Sequence, residues 1–186
     1  MKICLIVDSN LKYVSKEMFP LLSCEGDLFV PYLVKKDSES WPSVGQLKEA
    51  GYTDVLVGLG TNHCKHPGDE WRKGAEALSE IISEWAISLP GVRLYCLLPP
   101  PSVSSAVSAR VQLYSTWLRG HLERGVIVIA PPSFLYTEEG TLKEGFARER
   151  ELESGVKEHQ KVHLNEAGVK VLTERVQTVL LGHIHS

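Results

Sequence analysis

The sequence predicts an α/β fold, a three-layer α/β/α sandwich built around a five-stranded parallel sheet. Short apolar runs rich in β-branched residues alternate along the chain with longer segments of helical spacing. Each apolar run is closed by Gly, Pro, Asp or Ser, as buried parallel strands are. With 186 residues and no internal repeat or low-complexity linker, the chain is expected to form one domain over residues 1–186.

Five apolar runs are predicted to form the strands of this sheet. Right-handed crossovers between consecutive strands favour a flavodoxin-like strand order, with the functional site at the carboxyl ends of the strands. In chain order the predicted strands are Ile3–Val7, Leu28–Val34, Val55–Val57, Val92–Leu98 and Val126–Ala130.

Three segments between and after the strands have the spacing of amphipathic helices. Apolar residues recur there at steps of three and four, over Asp69–Leu89, about Ser104–Glu123 and about Asn165–Leu181. The segment Thr137–Gln160 is long, charged and punctuated by glycine, and is predicted to be a loop. Loops of that length often close over a site or bind a partner.

The overall charge argues against a nucleic-acid-binding protein. Twenty Lys and Arg residues stand against 23 Asp and Glu residues, a formal net charge of −3. Because binding to a phosphate backbone requires many cations, direct nucleic-acid binding is not expected, although a local basic face remains open.

Cysteine usage indicates a reducing, intracellular (cytoplasmic) setting. Cys4 and Cys96 fall in apolar runs and are predicted to be small buried thiols rather than half-cystines. His63, Cys64 and His66 lack the distant partner pair of a structural metal site, so no metal is expected. No signal segment and no run long enough to span a membrane is visible, and the abrupt start suggests a domain of a larger protein.

Ser9 is a candidate nucleophile because it directly follows the first predicted strand. Helix-like sequence follows Asn10, so backbone N–H groups at this helix start could receive an oxyanion. The alternative is that Asp8 or Ser9 only caps that helix.

Two further polar segments lie at predicted strand ends. In Gly60-Thr61-Asn62-His63 the Asn62 amide could donate to a substrate oxygen, and Gly60 would allow close backbone approach. An ordinary Gly/Asn turn is the alternative. His163 precedes the last predicted helix and could act as general base, or could simply be a polar loop histidine.

Together, these segments resemble the SGNH (GDSL-like) hydrolase superfamily over residues 3 to about 180. Val7-Asp8-Ser9-Asn10 resembles its Gly-Asp-Ser block, and Gly60-Thr61-Asn62-His63 resembles its Gly-x-Asn-Asp block. Gln160-Lys161-Val162-His163 resembles its Asp-x-x-His block. The specificity of the resemblance lies in the order and spacing of the blocks.

The resemblance implies an esterase that acts on small acetyl or short-chain esters through an acyl-serine intermediate, without a cofactor. Ser9 would be the nucleophile and His163 the base. The Ser9 N–H and the Asn62 amide would be oxyanion donors, with Gly60 beside them. The expected partner is then a small ester substrate.

Val7 replaces the glycine of the first block and His63 replaces the aspartate of the Gly-x-Asn-Asp block. The chain departs from the family's pattern in two further places. The second block's glycine is missing from Val34-Lys35-Lys36-Asp37-Ser38, which leaves one oxyanion donor unassigned. Gln160 replaces the carboxylate that orients the histidine, and losing that acid can cost several orders of magnitude in rate. The Gln160 oxygen, a backbone carbonyl or Glu158 could take over its role.

Altered blocks also occur in members of the superfamily that lie inside larger polypeptides. One is the esterase domain in the first open-reading-frame protein of certain LINE-type retrotransposons. The abrupt start of the chain and its intracellular type of cysteine usage resemble what is expected of such a domain. A binding or interaction module with weakened catalysis is therefore a second hypothesis. A flavodoxin-like nucleotide-binding protein is disfavoured because residues 8–12 lack the glycines of a phosphate-binding loop.

Overall fold

The computed structural model describes residues 1–8, 11, 12, 19, 21, 25–35 and 39–184. Within these residues, five strands form one parallel sheet in the order β2-β1-β3-β4-β5. This confirms the predicted fold class and the flavodoxin-like strand order. The strands are β1 (Lys2–Val7), β2 (Glu25–Phe29), β3 (Asp54–Gly58), β4 (Arg93–Leu97) and β5 (Ile127–Ile129).

Helices cover both faces of the sheet. The three long helices lie within three residues of their predicted bounds, because their apolar stripes were long and regular. The helices among the described residues are α1 (Val44–Ala50), α2 (Thr61–Cys64), α3 (Glu70–Ser88), α4 (Ser105–His121) and α5 (Glu166–Ile184). None of them is both long and apolar enough to cross a bilayer.

Side-chain alternation along β1 divides the core into two layers. Cys4 and Ile6 pack with residues of α3 and α4 on one face of the sheet. Ile3, Leu5 and Val7 pack with residues of α5 on the other face. Each fully buried aliphatic side chain contributes about 1.5–3 kcal/mol relative to an exposed one. A central strand that is apolar on both faces therefore fixes the three-layer arrangement.

The buried thiols are part of this core. Cys4, Cys64 and Cys96 are free and almost inaccessible, and burial raises the pKa of each to about 12. These residues behave as small apolar side chains, as predicted for Cys4 and Cys96. Cys24 lies outside the described residues.

The predicted bounds of the second strand, Leu28–Val34, are wrong. The observed β2 pairs from Lys2–Glu25 to Ile6–Phe29 and ends before Pro31, which has no N–H to donate to a sheet. β2 is an edge strand, and its first residues are exposed, so an apolar run was a poor guide to its position. The chain after Phe29 leaves the sheet and contacts α2 instead.

The predicted loop Thr137–Gln160 is also only partly correct. Its second half forms an antiparallel hairpin of β6 (Ala147–Glu151) and β7 (Lys157–Leu164). Most residues of β6 are charged and exposed, so no apolar pattern reveals the strand. The hairpin is anchored at its base, where Ala147 and Leu164 are buried in the core beside α5.

Candidate active site

The end of β1 is held against the end of β3 at the carboxyl edge of the sheet. Asp8 is buried, and its backbone N–H donates to the Gly58 carbonyl at 3.2 Å. Its Oδ1 accepts the Leu11 N–H at 3.2 Å, the bond expected of a helix cap. Ser9, the predicted nucleophile, lies outside the described residues, as does Asn10. Asp8 and Leu11, the described residues on either side of Ser9 and Asn10, therefore lie at the carboxyl end of β1, where the sequence predicted the site.

Gly60 begins α2 in a conformation that favours glycine. Its φ is +136°, and a Cβ at this position would lie 2.4 Å from Cζ of the buried Tyr114. The Tyr114 hydroxyl donates to the Leu59 carbonyl at 2.8 Å, which fixes the ring against this turn. The glycine predicted from the motif is thus required by a close approach between the turn and α4.

Asn62 and His63 attach the segment after β2 to α2. The Asn62 amide donates to the Tyr32 carbonyl at 2.9 Å, and both Asn62 and His63 are buried. The Val34 N–H donates to His63 Nε2 at 3.0 Å. His63, which stands where the motif resembled in the sequence has an aspartate, therefore serves as a hydrogen-bond acceptor.

This contact bears on the missing oxyanion donor. Because the Val34 N–H is directed to His63, it is not available to receive a substrate oxyanion. Lys36, Asp37 and Ser38, which complete the glycine-free segment, lie outside the described residues. Among residues 1–8, 25–35 and 39–184, no three His, Cys, Asp or Glu side chains are grouped as metal ligands.

A β-bulge brings Gln160 and His163 together. The pairs Ala147–Leu164 and Glu149–His159 enclose only Arg148 on β6 but the four residues 160–163 on β7. Side chains three positions apart on a regular strand point to opposite faces, and the extra residues of the bulge remove this restriction. As a result, His163 Nδ1 lies 2.7 Å from Gln160 Oε1.

The first turn of α5 fixes the end of β7. The Gly168 N–H donates to Asn165 Oδ1 at 2.9 Å, so Asn165 caps the helix. The Asn165 amide and backbone N–H also donate to the carbonyls of Gly145 and Phe146, at 2.7 and 2.9 Å. His163 is therefore held two residues before a well-anchored helix start.

The contact with Gln160 determines where the proton of the His163 ring lies. A carbonyl oxygen can only accept, so Nδ1 carries the proton in the neutral ring and Nε2 presents its lone pair. Glu158 forms no hydrogen bond or ion pair with His163; it pairs with Arg150 instead. Of the orienting groups considered from the sequence, the Gln160 oxygen is the one in contact.

The surroundings of His163 favour its neutral form. Burial lowers the pKa of His163 below its ordinary value of 6.5, and the cations Arg148 and Lys65 lower it further. Neither cation was identified from the sequence. Lys65 follows α2 and Arg148 lies on β6, so only the tertiary fold shows that they face the histidine.

His163 lines an open cleft of about 480 Å³ between the end of α2 and the hairpin. Lys65 and His66 form one wall, and residues 158–163 of β7 with Arg150 form the other. Lys65 also lies over the Tyr32 ring, 4.9 Å from its centroid. The cleft thus connects His163 with the helix that carries Asn62.

The sequence matches no protein-family model and no curated protein. It is similar in fold to a carbohydrate esterase family 3 protein from Talaromyces cellulolyticus, at 13% identity and a TM-score of 0.63, covering 100% of this chain and 98% of that one. A GDSL-like lipase from Bacteroides thetaiotaomicron shares 8% identity at a TM-score of 0.62, over 98% of this chain and 88% of that one.

A third similar structure is the OSK domain of Drosophila Oskar. It shares 15% identity at a TM-score of 0.63 and covers 95% of this chain and 86% of that one. At these identities the likeness establishes the fold. It does not test the resemblance to LINE-type retrotransposon proteins, which stays a prediction.

Proposed function

We propose that this chain, which has the fold of the SGNH (GDSL-like) hydrolases, is a serine esterase for small acetyl or short-chain carboxylic esters. The observation that carries the proposal is the 2.7 Å contact between His163 Nδ1 and Gln160 Oε1. It keeps the proton on Nδ1 and leaves Nε2 able to accept a proton, as a general base must.

In the proposed reaction, Ser9 Oγ attacks the acyl carbonyl while its proton passes to His163 Nε2. The tetrahedral oxyanion is stabilised by the Ser9 N–H and by the second N–H of the Asn62 amide, the first being donated to the Tyr32 carbonyl. As the carbon–oxygen ester bond breaks, the imidazolium returns the proton to the leaving alcohol. Water, deprotonated by His163, then attacks acyl-Ser9, and the imidazolium returns that proton to Ser9 Oγ as the bond to the acyl carbon breaks and the carboxylic acid is released.

Gln160 supports this cycle less strongly than a carboxylate would. Its oxygen fixes the tautomer of His163 but brings no negative charge to stabilise the imidazolium. The lowered pKa of His163 likewise makes it a weaker base. A modest turnover rate is therefore expected.

The second candidate function is a binding or interaction module of a larger protein. The neutral Gln160 and the engagement of the Val34 N–H by His63 favour it, because both weaken catalysis. Covalent labelling distinguishes the two functions. An esterase forms a fluorophosphonate adduct on Ser9, whereas a module with an inactive site does not.

The test is hydrolysis of p-nitrophenyl acetate by the wild type, Ser9→Ala and His163→Ala. The two site variants should lose about 10³-fold or more in kcat/KM while circular dichroism shows an unchanged fold. His121→Ala removes an exposed histidine from α4 and should retain full activity. Equal rates in the wild type and both site variants would overturn the esterase proposal.

A further inference from the structure

The cleft beside His163 has a charge opposite to that of the chain. The whole sequence carries a net charge of −3, yet the described residues that line the cleft include the cations Lys65, Arg150 and Lys161 and a single carboxylate, Glu158. Arg148, on β6 opposite the bulge, adds a further cation near His163. The local basic face that composition left open is therefore located at the candidate active site.

Pairing leaves a positive excess in this cleft. Glu158 forms its ion pair with Arg150, so those two charges largely compensate each other. Lys65 lies over the Tyr32 ring, and Lys161 has no carboxylate partner in the described part of the chain. Both lysines line the same cleft as His163.

We infer that this cleft binds an anionic group of the substrate, so that the preferred ester carries a carboxylate or a phosphate near its scissile carbonyl. The inference rests on the proposed esterase function and names its substrate class. Cations that line a cleft concentrate an anionic ligand there and raise its association rate.

Gln160 fits the same inference. A carboxylate at this position, in contact with Nδ1, would place a negative charge in the cleft and oppose an anionic substrate. An amide orients the imidazole by the same kind of hydrogen bond without that charge. The neutral residue would thus preserve substrate affinity at some cost in base strength.

The test compares two esters with the same leaving group: neutral p-nitrophenyl acetate and the anionic mono-p-nitrophenyl ester of adipic acid, whose carboxylate is too distant to displace the leaving group through a five- or six-membered anhydride. The wild type should prefer the anionic ester in kcat/KM by about tenfold or more at low ionic strength. The preference should shrink as salt is raised to 0.1 M and above, where the screening length is about 10 Å.

Variants locate the effect in the cleft. Lys65→Gln and Lys161→Gln should each lower the ratio of the two kcat/KM values several-fold, and Gln160→Glu should lower it as well. Lys170→Gln makes the same charge change on an exposed position of α5 and should leave the ratio unchanged. Ser9-dependent hydrolysis without preference for the anionic ester would overturn this inference and leave the esterase proposal intact.

Ligand binding separates the inference from catalysis and identifies the anion. Succinate and inorganic phosphate are each titrated into Ser9→Ala by calorimetry, with Ser9→Ala/Lys65→Gln as the comparison. Binding that weakens in the double variant supports the anion site even if no ester is turned over. If only one of the two anions binds, that anion identifies the substrate group as a carboxylate or a phosphate. If neither binds, the site is excluded.

Discussion

The imidazole of His63 accepts the backbone N–H of Val34 through Nε2, at a distance of 3.0 Å. Protonation of Nε2 would place a second hydrogen between these two nitrogen atoms and break the contact. Burial also lowers the pKa of His63. The connection between the segment after β2 and α2 therefore depends on a neutral histidine.

Acidification should destabilise the protein through His63. Its folded-state pKa lies below the unfolded value of about 6.5, so the unfolded state binds more protons at mildly acidic pH. The stability that His63 contributes is present above pH 6.5 and is lost as the pH falls through its folded-state pKa. The urea concentration at the midpoint of unfolding should therefore decrease as the pH is lowered from 7 to 5.

His63→Gln should flatten this dependence, because a glutamine oxygen can accept the Val34 N–H but does not titrate near pH 6. Part of the slope should remain, since the pKa of His163 is lowered too. His121→Gln, on the exposed face of α4, is the control and should keep the wild-type slope. If stability depended on pH as steeply in His63→Gln as in the wild type, His63 would not be the source of the acid sensitivity.

Gly74→Ala should destabilise the protein although it lies inside a helix, where alanine is usually favoured by about 1 kcal/mol. A Cβ at Gly74 would lie 2.6 Å from Cγ and Cδ2 of His63, a ring held by its bond to Val34. Displacing the ring should cost about 1–3 kcal/mol in the free energy of unfolding.

Gly120→Ala is the matched control for this variant. It lies in α4, and no atom is within 4 Å of its would-be Cβ, so it should be neutral or stabilising. Chemical denaturation measures both variants. If Gly74→Ala were as stable as Gly120→Ala, the packing between α3 and His63 would be looser than the structure indicates.

Gly60→Ala should cost more than Gly51→Ala. Both glycines have a positive φ, +136° and +70°, so both substitutions bear backbone strain of about 1–3 kcal/mol. Only Gly60 faces a buried ring, with Tyr114 Cζ at 2.4 Å, whereas the space around Gly51 is open. The difference between the two free energies of unfolding measures the Tyr114 contact, and equal costs would argue against it.

Gln160 should control both the rate and the pH dependence of hydrolysis. Gln160→Leu removes the acceptor of the Nδ1 proton and should lower kcat/KM for p-nitrophenyl acetate about tenfold or more. Gln160→Glu keeps an acceptor and adds a charge that stabilises the imidazolium. It should raise kcat/KM for this neutral ester.

The pH profile provides the independent readout. In the wild type, kcat/KM should rise through a pKa below 6.5, because burial, Arg148 and Lys65 favour the neutral ring. Gln160→Glu should shift this limb to higher pH. A profile that is the same in the wild type, Gln160→Glu and Gln160→Leu would mean that Gln160 does not act on His163.

The sequence by itself determined the four strands other than β2 and the three long helices. Ile3–Val7 and Val55–Val57 are apolar on both faces, which only a central parallel strand accommodates, and Asp69–Leu89 has an apolar stripe over its whole length. It also determined that Gly60, Asn62 and His163 belong near strand ends and helix starts, because polar residues there follow recognisable apolar patterns.

Only the tertiary structure decided how these parts meet. The charged strands β6 and β7 have no apolar period, so their hairpin and its bulge are fixed by the burial of Ala147 and Leu164 at its base. That bulge, and not the three-residue spacing, brings Gln160 to His163. The placement of Lys65 and Arg148 beside the imidazole likewise depends on elements far apart in sequence, whose approach is set by packing of the core.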